Sequence, residues 1–189
     1  MAKAVSKDIY QLKVSLAVVR PAVWRRVLVP GSLRLRDLHD ILQIVMGWTD
    51  SHLHQFEAKG QLYGTPDPDF PVPIKSEGRA QLNDILAREK DWMLYEYDFG
   101  DGWVHKIVLE KIIPASSKLK VPSCAAGARA CPPEDCGGPY GYAEFRKAIR
   151  DPSHPEHEDM LEWIGDEFDS DYFDLEHLNR QLAPFRSGL

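Results

Sequence analysis

Nowhere in the 189 residues do about 18 apolar residues follow one another, so no helix is expected to cross a bilayer. The opening MAKAVSKDIYQLKV also lacks a sustained apolar stretch, which argues against a secretory leader and leads us to expect a cytoplasmic protein. Cysteine is scarce. There are three, all between positions 124 and 136, and an odd number cannot complete a paired disulfide framework, so reduced thiols or metal ligands are expected. Internal repeats and low-complexity segments are absent. Positive charge is in deficit: 23 Lys and Arg face 29 Asp and Glu, a net charge of −6.

That deficit is uneven. Residues 1–60 carry nine Lys/Arg against five Asp/Glu, whereas the remainder carries fourteen against twenty-four, which gives +4 and −10. The acidic part repels phosphate backbones, so any DNA contact is expected in the N-terminal part, through Arg20, Arg25, Arg26, Arg34 and Arg36. A hydrophobic content of 43% and five Trp, seven Phe and seven Tyr supply one core of ordinary size, which predicts a single folded unit over 1–189.

Alternation of Tyr10, Leu12, Val14, Leu16 and Val18 with Gln11, Lys13 and Ser15 predicts a half-buried strand. After a turn at Arg20-Pro21, AVWRRVLVP predicts its hairpin partner, with arginines facing water. Leu35, Leu38, Ile41, Leu42, Val45 and Met46 recur at helical spacing up to Gly47, a residue suited to a helix C-terminus. HLHQFEAKGQLYG predicts a strand or hairpin and TPDPDFPVP an exposed loop. QLNDILAREKD predicts a short helix, and LYEYDF and WVHKIVLEKII two strands joined through Gly100-Asp101-Gly102, with His105 on the face shared by Ile107 and Leu109. Beyond about residue 113 a thiol-bearing loop precedes a helix from about Gly141 to Ile149. Ser153 and Glu156 are spaced as a capping box, and Leu175, Leu178 and Leu182 mark a last helix. Strands early and helices late predict an α+β fold with an antiparallel sheet.

Several constellations carry chemistry. Cys124, Cys131 and Cys136 with His105 as a fourth ligand would suit Zn²⁺; inert or redox-labile thiols fit the same irregular spacing. Glu134 and Asp135 oppose thiolate formation at Cys136 and phosphate binding by Gly137, Gly138 and Gly141, so those glycines read as a tight turn feeding a helix. Asp98, Asp101 and His105, with Glu134 or Asp135, would form an oxygen-and-imidazole site for a hydrolytic metal; alternatively, Asp98 braces the turn. His52 and His54 share one face if their segment is a strand, and with His39 would bind metal or stack on a ligand. The acidic run DEFDSDYFD lacks the glycine and terminal glutamate of a calcium loop and reads as a solvated connector with helix caps.

RPAVWRRVLVP, LRDLHDILQIVMGWTDSHLHQF, YEYDFGDGWVHKIVLEKI, CPPEDCGGPYGYAEF and HEDMLEWIGDEFDSDYFDLEHLN, in that order, resemble the plasmid pRiA4b ORF-3-like family over nearly the whole chain. The resemblance implies a compact α+β domain of bacteria and archaea, often encoded on plasmids or near mobile elements and sometimes given a transposon-resolvase label. The resolvase label finds no serine nucleophile with its arginine cluster and no tyrosine-recombinase set in this chain. The family's pattern matches Asp98, Gly100, Asp101, Trp103 and His105, and Pro132, Pro133, Glu134, Asp135, Gly137 and Gly138, which implies a site where these two stretches meet. Cys131 and Cys136 stand where the resemblance implies small apolar residues in other members, which argues against a zinc site common to the family. Three readings follow: a binding or regulatory domain with a protein partner, a metal-dependent hydrolase or nuclease, and a DNA-binding accessory protein.

Overall fold

The computed structural model describes residues 8–66, 73–115, 119–165 and 168–187. Tyr10, Leu12, Val14 and Leu16 point inward from β1 (Ile9–Leu16), and β2 (Trp24–Pro30) pairs with it antiparallel as the expected hairpin. Helix α1 (Leu35–Met46) lays its apolar stripe on the sheet and ends at Gly47, whose φ of 83° is the left-handed conformation a glycine adopts without steric cost. Strands β3 (His54–Ala58) and β4 (Gln61–Gly64) form a second hairpin, and β5 (Ile74–Ser76) adds in parallel to β4. The single turn α2 (Leu82–Ile85) is all that forms of the expected short helix. Strands β6 (Trp92–Tyr97) and β7 (Trp103–Ile113) complete the central hairpin.

The eight strands run in the order β5-β4-β3-β6-β7-β1-β2-β8, with β8 (Ser123–Ala128) at one edge, and the fold is α+β. Met93, Tyr95 and Tyr97 on β6 and Trp103, His105, Ile107 and Leu109 on β7 continue the buried face of β1. On the opposite face Gln11 and Arg26 meet Glu110 in a polar cluster, as suits an antiparallel sheet with one wet side. Helices α3 (Gly138–Arg150), α4 (His157–Ile164) and α5 (Leu175–Gln181), with a closing 3-10 turn at Ala183–Ser187, form the C-terminal part. Among the described residues no helix is long and apolar enough to cross a membrane.

Four expectations are revised. Arg25 and Arg26 are neighbours on one strand, so they cannot share a face: Arg26 meets Glu110 on the wet side, while Arg25 is 4% exposed and donates to the carbonyls of Val45, Trp24 and Ala128. Strand β8 was not expected, because SCAAGA has no β-branched or aromatic residue. Its backbone pairs with β2, its edge is covered by α5 through Asn179 bonds to both the N–H and the C=O of Cys124, and Gly127 makes room for the Phe173 ring. The capping box fails: α4 starts at His157, and Ser153 bonds Asp151 instead. Helix α3 begins three residues earlier than expected, at Gly138. Of the loop over 65–73, residues 67–72 lie outside the described residues. In the acidic run, Asp174 caps α5 by accepting from the His177 N–H.

Replacing Arg25 by Ala strips one carbonyl of α1 and two of the β2–β8 edge of their donor. Urea unfolding is expected to show a loss of about 3 kcal/mol. Arg26→Ala, which removes a part-exposed ion pair, is expected to cost under about 1 kcal/mol by the same measurement.

Candidate functional site

Antiparallel pairing brings four chain reversals to one end of the sheet. Leu16 lies opposite His105, Trp24 opposite Ala128 and His54 opposite Tyr97. The β1–β2 turn, the loop after α1, the β6–β7 turn and the loop leaving β8 therefore crowd together there. Arg20 belongs to this end and is exposed; Arg34 and Arg36, also exposed, lie beyond the other end of β2, a separation of roughly 20 Å for a seven-residue strand. The five arginines proposed for DNA thus form no single basic face, and Arg25 is buried beneath it all.

The YDFGDGWVH turn and the PPED loop do meet. A Cβ on Gly138 would lie 2.3 Å from the Asp101 carbonyl oxygen, and its φ is 67°, so only glycine lets α3 start where it touches the hairpin. The indole N–H of Trp48 donates to the Pro132 carbonyl at 3.0 Å, and its ring stacks on Tyr97. Glu134 accepts from the Thr49 N–H and hydroxyl and from the Tyr97 hydroxyl, at 3.2, 2.6 and 2.5 Å. Both its oxygens are therefore engaged in holding the loop. Burial, and then the bond to Glu134, push the Tyr97 hydroxyl well above its ordinary range, so it stays a donor.

Asp98 serves the turn with one oxygen. Its Oδ1 accepts from the N–H groups of Gly100 and Asp101, at 2.9 and 3.3 Å, the bracing role read from the sequence. Its other oxygen faces His52: Nε2 lies 3.8 Å from Asp98 Oδ2 and 3.2 Å from Asp135 Oδ1, and these three donor atoms fall within 4.8 Å of one another. Although close to Asp135, the shielded Nε2 has no hydrogen bond of acceptable direction, so the contact is one of proximity alone. His52 was expected to act beside His54. It precedes β3, however, and the two imidazoles diverge.

His54 instead stacks on His39, with centroids 3.5 Å apart and an 8° tilt. That pair is closed: His39 bonds Tyr95 Oη and Asp50, and His54 bonds the buried Glu77. Burial, and then the neighbouring His54, push the His39 imidazole below its ordinary value. Burial would raise Glu77, but the His54 bond and charge outweigh it and hold this carboxyl below the ordinary range.

The remaining proposed ligands do not gather. Among the described residues, neither His105 nor any cysteine joins a group of three metal-ligating atoms. Cys124 lies in β8, while Cys131 and Cys136 flank the loop, and all three are free thiols. Burial raises each of them, Cys136 to about 12, with Asp101 adding to it, which disfavours the thiolate that a nucleophile needs. His105 is fully buried. Its Nδ1–H donates to the Trp103 and Tyr95 carbonyls, at 2.9 and 3.2 Å, which leaves Nε2 as the bare nitrogen, without a hydrogen-bond partner and with Trp48 edge-on to the ring. Of the five acid-base candidates, only Asp98 and Asp135 converge on a common point; Asp101 is placed under Gly138 and Glu134 against Thr49 and Tyr97.

Beside Asp135 a cleft of about 270 Å³ opens between the loop, α3 and α4, its lining combining Asp135, Glu144 and Glu156 with Phe145, Met160 and Trp163. Sequence reading had no signal for this cleft, because its walls come from two helices whose packing is not local.

Two measurements test this construction. Gly138→Ala is expected to cost ~2 kcal/mol or more in urea unfolding, because strain and clash add, whereas Gly165→Ala, equally left-handed but in open space, should cost about 1 kcal/mol. Burial depresses the His105 imidazole from 6.5 to about 4. The unfolded chain binds that proton more readily, so this contribution to stability is complete above about pH 6.5 and is lost as pH falls toward 4, by roughly 3 kcal/mol at most. Thermal unfolding between pH 7.5 and 4.5 should show a shallower decline in His105→Leu than in the parent.

Comparison with known proteins agrees with this architecture. The model of the family described as "Plasmid pRiA4b ORF-3-like protein" matches residues 8–177. The uncharacterized protein y4hQ of Sinorhizobium fredii is 41% identical over 177 residues, covering 93% of this chain and 91% of that protein. The crystal structure of MM3350, a protein of unknown function from Methanosarcina mazei Go1, is 41% identical and superposes with a TM-score of 0.81 over 90% of this chain and 97% of that one. The chain, matched in sequence over most of its length and in fold, belongs to the plasmid pRiA4b ORF-3-like family.

Proposed function

We propose that the protein is a binding module that holds a basic, partly apolar segment of a partner protein in the cleft beside Asp135. The observation that carries this reading is the pairing of unneutralised acid with exposed aromatic surface. Helix α4 and its N-cap carry Glu156, Glu158, Asp159 and Glu162, and among the described residues none of these meets a Lys or Arg at ion-pair distance. The same helix buries no residue fully and leaves Trp163 46% exposed, edge-on to Phe145. A lysine or arginine side chain suits such a surface, its stem on the ring and its charge at the carboxylates. Glu144 already pairs with Lys147, so Glu156 is the carboxylate we assign to the partner.

The alternative of a metal-dependent hydrolase or nuclease built on Asp98, Asp101, His105, Glu134 and Asp135 is less well supported, since of the five only Asp98 and Asp135 converge, while His105 is buried in the core and Glu134 clamps the loop. Association with mobile elements is part of the proposal and rests on family membership. So is a cytoplasmic location, which suits three unpaired thiols.

The test is a fluorescence-anisotropy titration with a labelled decapeptide of alternating lysine and leucine, and a glutamate-leucine peptide as control. Salt-sensitive binding of the lysine peptide alone is expected, weakened about tenfold or more by Glu156→Lys, a change of roughly 1.4 kcal/mol. Equal binding of both peptides, or no effect of the charge reversal, would overturn the reading.

A further inference from the structure

We infer that His52, Asp98 and Asp135 form a binding site for a first-row divalent transition metal, distinct from the peptide cleft but sharing Asp135 with it. Three observations carry this. The ligating atoms already lie within 4.8 Å of one another, close to the separation of roughly 3 to 3.5 Å that metal bonds of about 2.0–2.2 Å impose. Small side-chain rotations close the difference.

Second, His52 Nε2 is shielded from solvent yet makes no hydrogen bond. A shielded ring nitrogen without a partner is costly, and a cation at this point would satisfy it together with both carboxylates. Third, Asp98 is pre-oriented. It is 7% exposed, and the Gly100 and Asp101 N–H groups hold Oδ1, so that Oδ2 is the oxygen left toward His52. Bonds of this kind to the non-ligating atom of a carboxylate are what orient metal ligands.

The donor set selects the ion. One imidazole and two carboxylates suit Zn²⁺ or Mn²⁺, whereas Ca²⁺ and Mg²⁺ favour oxygen alone. Three protein ligands leave at least one coordination position open, and Asp135, with 72% of its side chain exposed, places that position at the solvent edge. The other His-carboxylate group, His39, Asp50 and His54, offers no such vacancy of partners, because His39 bonds Tyr95 and Asp50 and His54 bonds Glu77.

Isothermal titration of chelator-treated protein with ZnCl₂ and, separately, MnCl₂ is expected to give one site per chain. His52→Ala and Asp135→Asn should each weaken binding by roughly tenfold or more. Asp135 is exposed, so the unloaded Asp135→Asn protein should melt at the parent temperature, which separates loss of a ligand from loss of the fold. Substitution with cobalt(II) should give a spectrum without a thiolate charge-transfer band, and Cys136→Ala should bind as the parent does. Absence of binding, binding indifferent to both site variants, or a thiolate band would overturn the assignment. With the decapeptide titration carried out in the presence of a chelator, failure of the metal site leaves the cleft reading standing, and the reverse.

Discussion

The approach of Gly138 to the carbonyl of Asp101 fixes this end of the molecule. A side chain at Gly138 would overlap the hairpin backbone, so the start of α3, the loop before it and the β6–β7 turn are held at one separation. Trp48 and Glu134 then tie the loop to the segment after α1. Three segments far apart in sequence thereby become one rigid rim, and the acids of two of them face the imidazole of the third. Close backbone packing, not a charge pair, does this; the charges are placed by it.

Much of this was legible in the sequence. Segments with a sustained period, β1, β2, α1, β6 and β7, follow the alternation or helical spacing of their apolar residues. What escaped was non-local. Strand β8 exists because its backbone completes β2 and because small residues admit Phe173 and α5, and neither reason leaves an apolar pattern. Burial of Arg25 follows from strand parity, since Val27 and Val29 on the same face are buried; Arg25 pays off a carbonyl of α1, a partner named only by tertiary packing. Asp98 and Asp135 were readable as candidates, whereas their third partner was obscured by treating residues 52 and 54 as one strand face.

The two histidine clusters show how similar composition leads to different chemistry. Beneath α1, His39, His54, Asp50, Glu77 and Tyr95 complete one another, with the Asp50 side chain 57% exposed, and burial together with the neighbouring His54 holds His39 below its ordinary value. This closed network rigidifies the packing of α1 on β3 and β6. At the rim, Asp98 spends one oxygen on its turn and Asp135 is exposed, so His52 faces two carboxylates without completing a bond. The first arrangement is a structural element; the second keeps binding capacity in reserve.

Asp98 illustrates why structure and function resist separation here. A substitution there would remove the brace from the Gly100–Gly102 turn, move the Asp101 carbonyl, and so disturb the seat of Gly138 before any ligand was involved. His52 and Asp135 are under no such obligation. The same rim therefore grades from a residue that the fold requires, through an imidazole 28% exposed, to a carboxylate that lines both the metal-ligating group and the cleft. Loss of Asp135 would act on both without touching the core, because its side chain contributes to neither the docking of Gly138 nor the clamp made by Glu134.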